Sequence, residues 1–278
     1  MLREWRKRRN LSQLALALQA DTSSRHLSFV ETGRAVPSRE LVLRLADQLD
    51  VPMRQRNSLL MAAGYAPAYE ETPISEAQMD RANEAIDRLL AGHDPYPALV
   101  LDSDSNLRRA NRSAMALLDG VCEELLRPPV NIMRLALHPE GLAPRILNFA
   151  EWRVHLLGRL RRDAAFTNNE CLTSLYDEVS GYRYPQGTAV PEGGADSEHQ
   201  DGQQIAIPLR IRALGNELSF FSALTVFAAP ADITLAELTI ETFYPADAQT
   251  ATVLHSHYQT VNWDEPAPGE LVALWAAP

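Results

Sequence analysis

The chain has 278 residues, 46% of them hydrophobic and 22% charged, with a net charge of −10. That length leaves room for two domains with a core each, and no run approaches the roughly 18 apolar residues that a bilayer span needs. Two cysteines, Cys122 and Cys171, form no CxxC or metal-ligand pattern, which excludes a disulfide scaffold and fits a reducing compartment. The charge is unevenly spread. Residues 1–69 hold 11 Arg and Lys against 6 Asp and Glu, a net of +5, and the remainder hold 15 against 30, a net of −15. A basic head on an acidic body suits a groove-binding domain whose neighbour stays off phosphate. MLREWRKRRN is basic and no apolar stretch of signal length follows it, so the expected location is cytoplasmic.

Residues 2–9 read as a first helix with Leu2 and Trp5 inward and Arg6, Lys7, Arg8 and Arg9 near a DNA backbone. Leu11 to Gly33 reads as two short helices joined by a tight turn, the shape that lays one helix in the major groove. Ser12 caps the first, which carries Leu14, Leu16, Ala17 and Leu18, and Ala17 lets a partner helix approach closely. Ser23 caps the second, with Leu27 and Val30 inward and Ser24, Arg25, His26, Ser28 and Phe29 outward. Gly33 is placed to end it in a left-handed conformation. Arg34 to Ser38 is a loop, Ser38 caps a fourth helix carrying Leu41, Leu45, Ala46 and Leu49, and a fifth runs from Met53 to Ala63 before Gly64.

Ala66 to Pro73 is a proline-flanked acidic connector. Residues 75–91 follow as a helix with Met79, Ala82, Ile86, Leu89 and Leu90 on one face, either stacked on the body or paired with a second subunit. From Pro97 the pattern turns to strands: a buried one at Leu99 to Leu101, a turn at Asp102 to Ser105, and a second ending at Asn111, which caps a helix. Helices are expected at Ile132 to Leu137, Pro144 to Arg162 and Asn169 to Val179. Strands return at Gln204 to Ala213 and Glu217 to Phe227, joined through Leu214-Gly215-Asn216, with a last one at Leu238 to Phe243. Between them, residues 187–202 lack periodicity and are rich in small and acidic residues, the composition of a mobile segment. The stretch after Ala246, with His255, His257, Trp263 and Trp275, shows no clear periodicity.

Leu11-Ser12-Gln13, Ala17, Ser23, Leu27-Ser28, Glu31 and Gly33 resemble, without a gap, the helix-turn-helix of XRE-type bacterial repressors. Asp21 stands where that family usually has a turn glycine, which leaves the turn intact but stiffer. Such repressors usually carry another turn ahead of the first helix, so either that helix is short or the natural start lies upstream. Arg25 to Arg34, Pro37 to Glu40, Ala62 to Pro67, Asn131 to Leu135, His138-Pro139, Gly141 to Ile146 and Glu151 to Arg153 together resemble the MmyB-like transcription regulators. The resemblance implies a five-helix, lambda-repressor-like all-α head and an α+β PAS-like body with an antiparallel sheet, sensing small molecules and without enzymatic activity. The expected divisions are residues 1–66 for the DNA-binding head, 67–96 for linker and connecting helix, 97–250 for the sensor and 251–278 for a tail.

In the expected complex, Gln13 with Arg6 or Arg9 touches phosphates, and Ser24, Arg25, His26 and Ser28 face the groove. Arg25 is placed either for a guanine edge or for a phosphate, and Phe29 either for a thymine methyl or for the neighbouring loop. Ser23, Arg34 and Ser38 complete the set on the backbone side. One such domain reads few base pairs, so a homodimer on an inverted repeat is expected, with half-sites about 34 Å apart.

For the body, Leu99, Met115, Leu118, Met133, Leu137, Trp152, Leu156, Leu209, Phe221 and Leu224 are candidates to surround an oily ligand or simply to form core. Asn111, Asn131, Arg134, His138 and Arg145 are polar residues set among apolar ones. Buried arginine needs a partner: either a ligand carboxylate, or an internal acid such as Glu151 for Arg134 or Arg145. A fatty-acid-like or polyketide-type molecule is the expected effector, with its polar end at this motif. No resident cofactor or metal is expected. His155 as a haem ligand and His255-x-His257 as part of a metal site are weaker readings than packing and solvation. No paired carboxylates, nucleophile elbow or Gly-rich phosphate loop points to an enzyme. A body that only dimerises is the competing reading.

Overall fold

The structure, a computed structural model, describes residues 1–185, 207–228 and 230–261. It falls into two compact units, one of Met1–Thr72 with Asp163–Asn169 and Ala229–Ala236, the other of the remainder. In chain order the helices are α1 (Leu2–Arg8), α2 (Gln13–Gln19), α3 (Ser24–Glu31), α4 (Arg39–Gln48), α5 (Met53–Ala62) and α6 (Asp80–His93). After β1 (Ala98–Leu101) and β2 (Leu107–Ala110) come α7 (Arg112–Ala116), α8 (Ile132–Leu137), α9 (Phe149–Thr167) and α10 (Glu170–Ser180). The chain returns through β3 (Leu209–Ala213), β4 (Asn216–Val226), α11 (Ile233–Ala236), β5 (Thr239–Pro245) and α12 (Ala248–Thr260).

The first unit is built on the expected five helices, and local hydrogen bonds set their starts. The Oγ atoms of Ser12, Ser23 and Ser38 accept from the amides of Ala15, His26 and Leu41 at 3.0, 3.1 and 3.2 Å. Asp21 adopts φ +49° and Gly33 φ +72°, so the aspartate does occupy the left-handed turn position and the glycine closes α3. The core gathers Trp5, Leu16, Ala17, Leu27, Leu45 and Leu60. Leu14 and Leu18, one turn apart on α2, lie outside it, 60% and 73% exposed. The acidic connector is anchored further than its composition suggests. The Asn57 side chain accepts from the amides of Ala68 and Tyr69 at 2.8 and 3.1 Å and donates to the Tyr69 carbonyl at 2.8 Å.

The second unit is a five-stranded antiparallel sheet in the order β2-β1-β5-β4-β3, with α7 to α10 inserted between β2 and β3 in sequence. Residues 75–91 resolve into a 3-10 turn, Ala77–Met79, and α6, which stacks on this unit with Asp87 and Asn83 holding Arg109. The long helix starts later than expected, at Phe149, because Ala143–Arg145 forms a separate 3-10 turn. Gly141 makes the bend before it possible: a Cβ there would lie 2.3 Å from the Leu135 carbonyl oxygen. The hairpin turn is Leu214-Gly215, both at positive φ (+52° and +71°), and Asn216 already pairs with Ala213. Two left-handed residues match the right-handed twist of the flanking strands. The stretch after Ala246 is helical through Thr260, capped by Asp247, which accepts from the Thr250 amide at 2.7 Å. The expectations for residues 187–202, Gln204, Trp263 and Trp275 lie outside the described residues.

Candidate nucleic-acid interface and effector site

At the head, α3 buries Leu27 completely and turns Ser24 and Arg25 to solvent, with His26, Ser28 and Phe29 half-buried. The Arg25 guanidinium sits over the Phe29 ring, 5.6 Å from its centroid, one turn along the helix. That contact draws the cation back along the helix face and links the two side chains nominated for base edges. Arg34 is exposed, and its amide donates to the Phe29 carbonyl at 2.8 Å. Ser23 and Ser38 spend their hydroxyl oxygens on the caps described above.

Of the expected phosphate contacts, Arg6 needs correcting and Arg9 also serves the fold. Arg6 is buried: it binds Glu31 through two hydrogen bonds of 2.6 and 2.9 Å and the Leu11 carbonyl at 2.8 Å. Arg9 donates to the carbonyls of Leu49 and Asp50 at 2.8 and 3.1 Å and lies 5.5 Å from the Trp5 ring centroid. Both arginines hold helix ends together, and Arg6 has its whole guanidinium committed inside the head. Gln13 donates from Nε2 to Glu31 at 2.7 Å, which leaves the second N–H of that amide to point elsewhere. Burial alone would raise the Glu31 carboxyl, but the hydrogen bonds from Arg6 and Gln13 and the Arg6 charge outweigh it and hold the group below the usual carboxylate range.

In the body, the polar motif proves to be internally engaged. Arg134 binds Glu178, at 2.8 and 2.7 Å, rather than Glu151 or an open position. Glu178 also accepts from Tyr182, whose phenol burial and that carboxylate push up to about 12. Arg145 donates to the carbonyls of Arg212 and Asp119 at 3.1 and 2.7 Å, and burial lowers its pKa from the ordinary arginine value. Asn111 and Asn131 are buried caps of α7 and α8 with their amides bonded to backbone and Asn106. His138 accepts from the Glu140 amide through Nδ1 and meets the Tyr182 ring edge-on.

Of the apolar candidates, Leu99, Leu118, Met133, Leu137, Trp152, Leu156 and Leu209 are buried and Met115 is half-buried. Phe221 and Leu224 are 45% and 51% exposed. The buried aromatic of β4 is Phe220; Phe221 points to the opposite sheet face and stacks on Tyr244 at 5.4 Å. Successive strand residues alternate faces, and a doubled phenylalanine hides which one turns inward.

The registers Leu99↔Glu241 and Leu224↔Glu241 put these three side chains in one row on one face of the sheet. There the Glu241 carboxylate is buried and accepts from Arg159 Nη1 on α9, at 3.3 Å to Oε1 and 3.1 Å to Oε2. One turn earlier, His155 stacks on Trp152 with ring centroids 5.1 Å apart. Burial, with Arg159 and Arg162 nearby, lowers its pKa and favours the neutral ring. Sequence reasoning missed Arg159 and Glu241, which are 82 positions apart, and weighed His155 only as a haem ligand. Among the described residues no three metal-ligating side chains cluster, and no helix is long and apolar enough to cross a membrane.

Comparison with known proteins fits this division. A helix-turn-helix family model matches residues 2–55, and the model of the MmyB-like transcription regulator ligand binding domain matches residues 82–256. Head and body together therefore make a DNA-binding transcription regulator with a ligand-binding domain. The chain belongs to the MmyB-like transcription regulators. A comparison with curated proteins finds no match. Among solved structures, an RNA-binding light-oxygen-voltage receptor is similar over 92% of this chain and 62% of its own length, at 13% identity and a TM-score of 0.29. A likeness that distant carries no argument.

Proposed function

We propose that the chain is a cytoplasmic, sequence-specific regulator that binds an inverted-repeat operator as a homodimer and answers to a small lipophilic effector held in its body. The observation that carries the DNA half is the outward face of α3, where Ser24 and Arg25 are exposed while Leu27 anchors the helix. Arg25 reads a guanine edge, Phe29 lies within reach of a thymine methyl, and the second Gln13 N–H meets a phosphate. Arg34 contributes to the backbone contacts.

For the body, the support is an apolar sheet face, set against α9, on which Leu224 and Val226 remain 51% and 63% exposed. Uncovered apolar area of this kind fits an oily chain. The five-stranded order with helices between β2 and β3 supports a PAS-like reading of the sensor. The polar end of the effector lies away from Arg134, whose guanidinium belongs to Glu178. A second reading, a body that serves for dimerisation alone, draws on the exposed Phe221–Tyr244 stack on the other face. Native mass spectrometry, followed by denaturing extraction of the purified chain, separates the two. A copurified amphiphile supports the sensor, and an empty body whose melting temperature no lipophilic molecule shifts supports the second reading.

A further inference from the structure

Strand β4 outruns its neighbour. It has 11 residues against the 5 of β3, and the ladder between the two ends at Leu209↔Phe220. From Phe221 to Val226, β4 pairs with β5 alone. Successive residues of an antiparallel strand turn their backbone groups to alternate sides. Ser219 faces the β5 side, where its carbonyl accepts from the Ala246 amide at 2.8 Å. Arg210 turns away from β4 to bond Leu147 and Asn148, so Leu209 and Ile211 make the bonds to Phe220 and Leu218. The N–H and C=O groups of Ser222, Leu224 and Val226 therefore point out of the sheet past the end of β3. Among the described residues nothing pairs with them. Leu218 to Ala228 holds neither charge nor proline, the usual devices that keep other strands off such an edge. Phe221, Leu224 and Val226 are 45%, 51% and 63% exposed.

We infer that two copies of the chain join along this edge, β4 lying antiparallel to β4 of the other copy across a two-fold axis at Leu224. The inference rests on the reading of the chain as a homodimer and names the surface that makes it. The edge matches itself, which favours a second copy over any other strand. With Leu224 opposite Leu224, Ser222 stands opposite Val226 and Val226 opposite Ser222, so each outward N–H meets an outward C=O and none is left over. The same register sets Phe221 opposite Phe227 at both ends and Ala223 opposite Thr225 between them, with no charges opposed. Pairing through the backbone leaves the apolar face that carries Leu224 and Val226 open to an effector.

The test is sedimentation velocity of the full chain, without DNA, at micromolar concentration. Leu224→Pro removes the central outward N–H and leaves the bonds to β5, which the odd-numbered residues make. It is expected to weaken dimerisation at least about tenfold with the circular dichroism of the folded chain retained. Leu224→Cys, in a chain carrying Cys122→Ser and Cys171→Ser, is expected to form a disulfide-linked dimer under mild oxidation, because facing residues stand about 5.5 Å apart between Cα atoms. Thr225→Cys in the same background, whose copies stand farther apart in this register, is expected to cross-link far less. Where Leu224→Pro fails to fold, the pair of cysteine variants decides. A dimer that Leu224→Pro leaves intact, or that shows no preference for the Leu224→Cys cross-link, overturns the edge and leaves the homodimer standing. A monomeric full chain overturns both.

Discussion

The Arg6 guanidinium grips the Glu31 carboxylate through two hydrogen bonds, 2.6 and 2.9 Å long, and so ties the first helix of the head to the end of the third. Gln13 joins from α2 at 2.7 Å, which makes Glu31 the point where three helices meet. The Glu31 side chain is fully buried, so removing its partner strands a carboxylate in the interior. Arg6→Ala is expected to cost the head about 3 kcal/mol or more, read by faster amide hydrogen exchange in α2 and α3 of the full chain. Glu31→Gln keeps the shape and should cost less.

The same carboxylate predicts a pH dependence. Its folded pKa is depressed, so its contribution is complete above the unfolded glutamate value of about 4.3 and is lost as pH falls through the folded value. Protection of the α2 and α3 amides, relative to the intrinsic exchange rate at each pH, should therefore fall in the unmodified chain as pH drops below about 4.3. In Glu31→Gln that component should be absent.

Arg25 separates base reading from phosphate binding. As a guanine contact, Arg25→Ala is expected to cost about 1–3 kcal/mol on the preferred site and to relax the preference at one base-pair position. The salt slope of binding should hardly change. Uniform weakening on every sequence with a shallower salt slope would instead make it a phosphate contact. Fluorescence anisotropy on a panel of single-base variants measures both. Phe29→Leu, which removes the ring under the guanidinium, should weaken the same base preference in part.

Arg134 is a structural residue, held by Glu178. Its pair with Glu178 is partly exposed, with side chains 40% and 39% accessible, and Arg134→Ala is expected to cost below about 1 kcal/mol. Effector affinity, measured by calorimetry, should be unchanged. A selective loss of ligand binding from a stably folded Arg134→Ala would return the polar motif to the effector site.

Asn57 holds the connector. Asn57→Ala removes two acceptor bonds and one donor bond to residues 68 and 69, a loss of about 1–3 kcal/mol locally. Limited proteolysis should then cut within residues 66–72 several times faster than in the unmodified chain.

The features legible in the sequence were those set by neighbours within one turn. Ser12, Ser23, Ser38 and Asn111 each bond an amide three residues on, so the side chain and its helix start appear together in the chain. Asp21 was readable because few residue types tolerate its backbone angle. Arg6 was misjudged because its partner lies 25 residues away, and a run of four cations looks alike whether one of them turns inward. Arg159 and Glu241 are brought together by the pairing of β5 with β1 and β4, which no local spacing encodes. Helix α12 escaped notice because its Thr, His and Gln residues carry little apolar periodicity.

The most direct measurement is titration of the full chain against a DNA fragment from its own promoter region and against a shuffled fragment of equal composition. Fluorescence anisotropy is followed as salt rises from low to physiological concentration. Saturable binding that favours the promoter fragment, weakens linearly in log salt and has that preference reduced by Arg25→Ala is the expected result. Equal binding to both fragments, or none at low salt from a folded protein, would contradict the central claim that α3 reads duplex DNA.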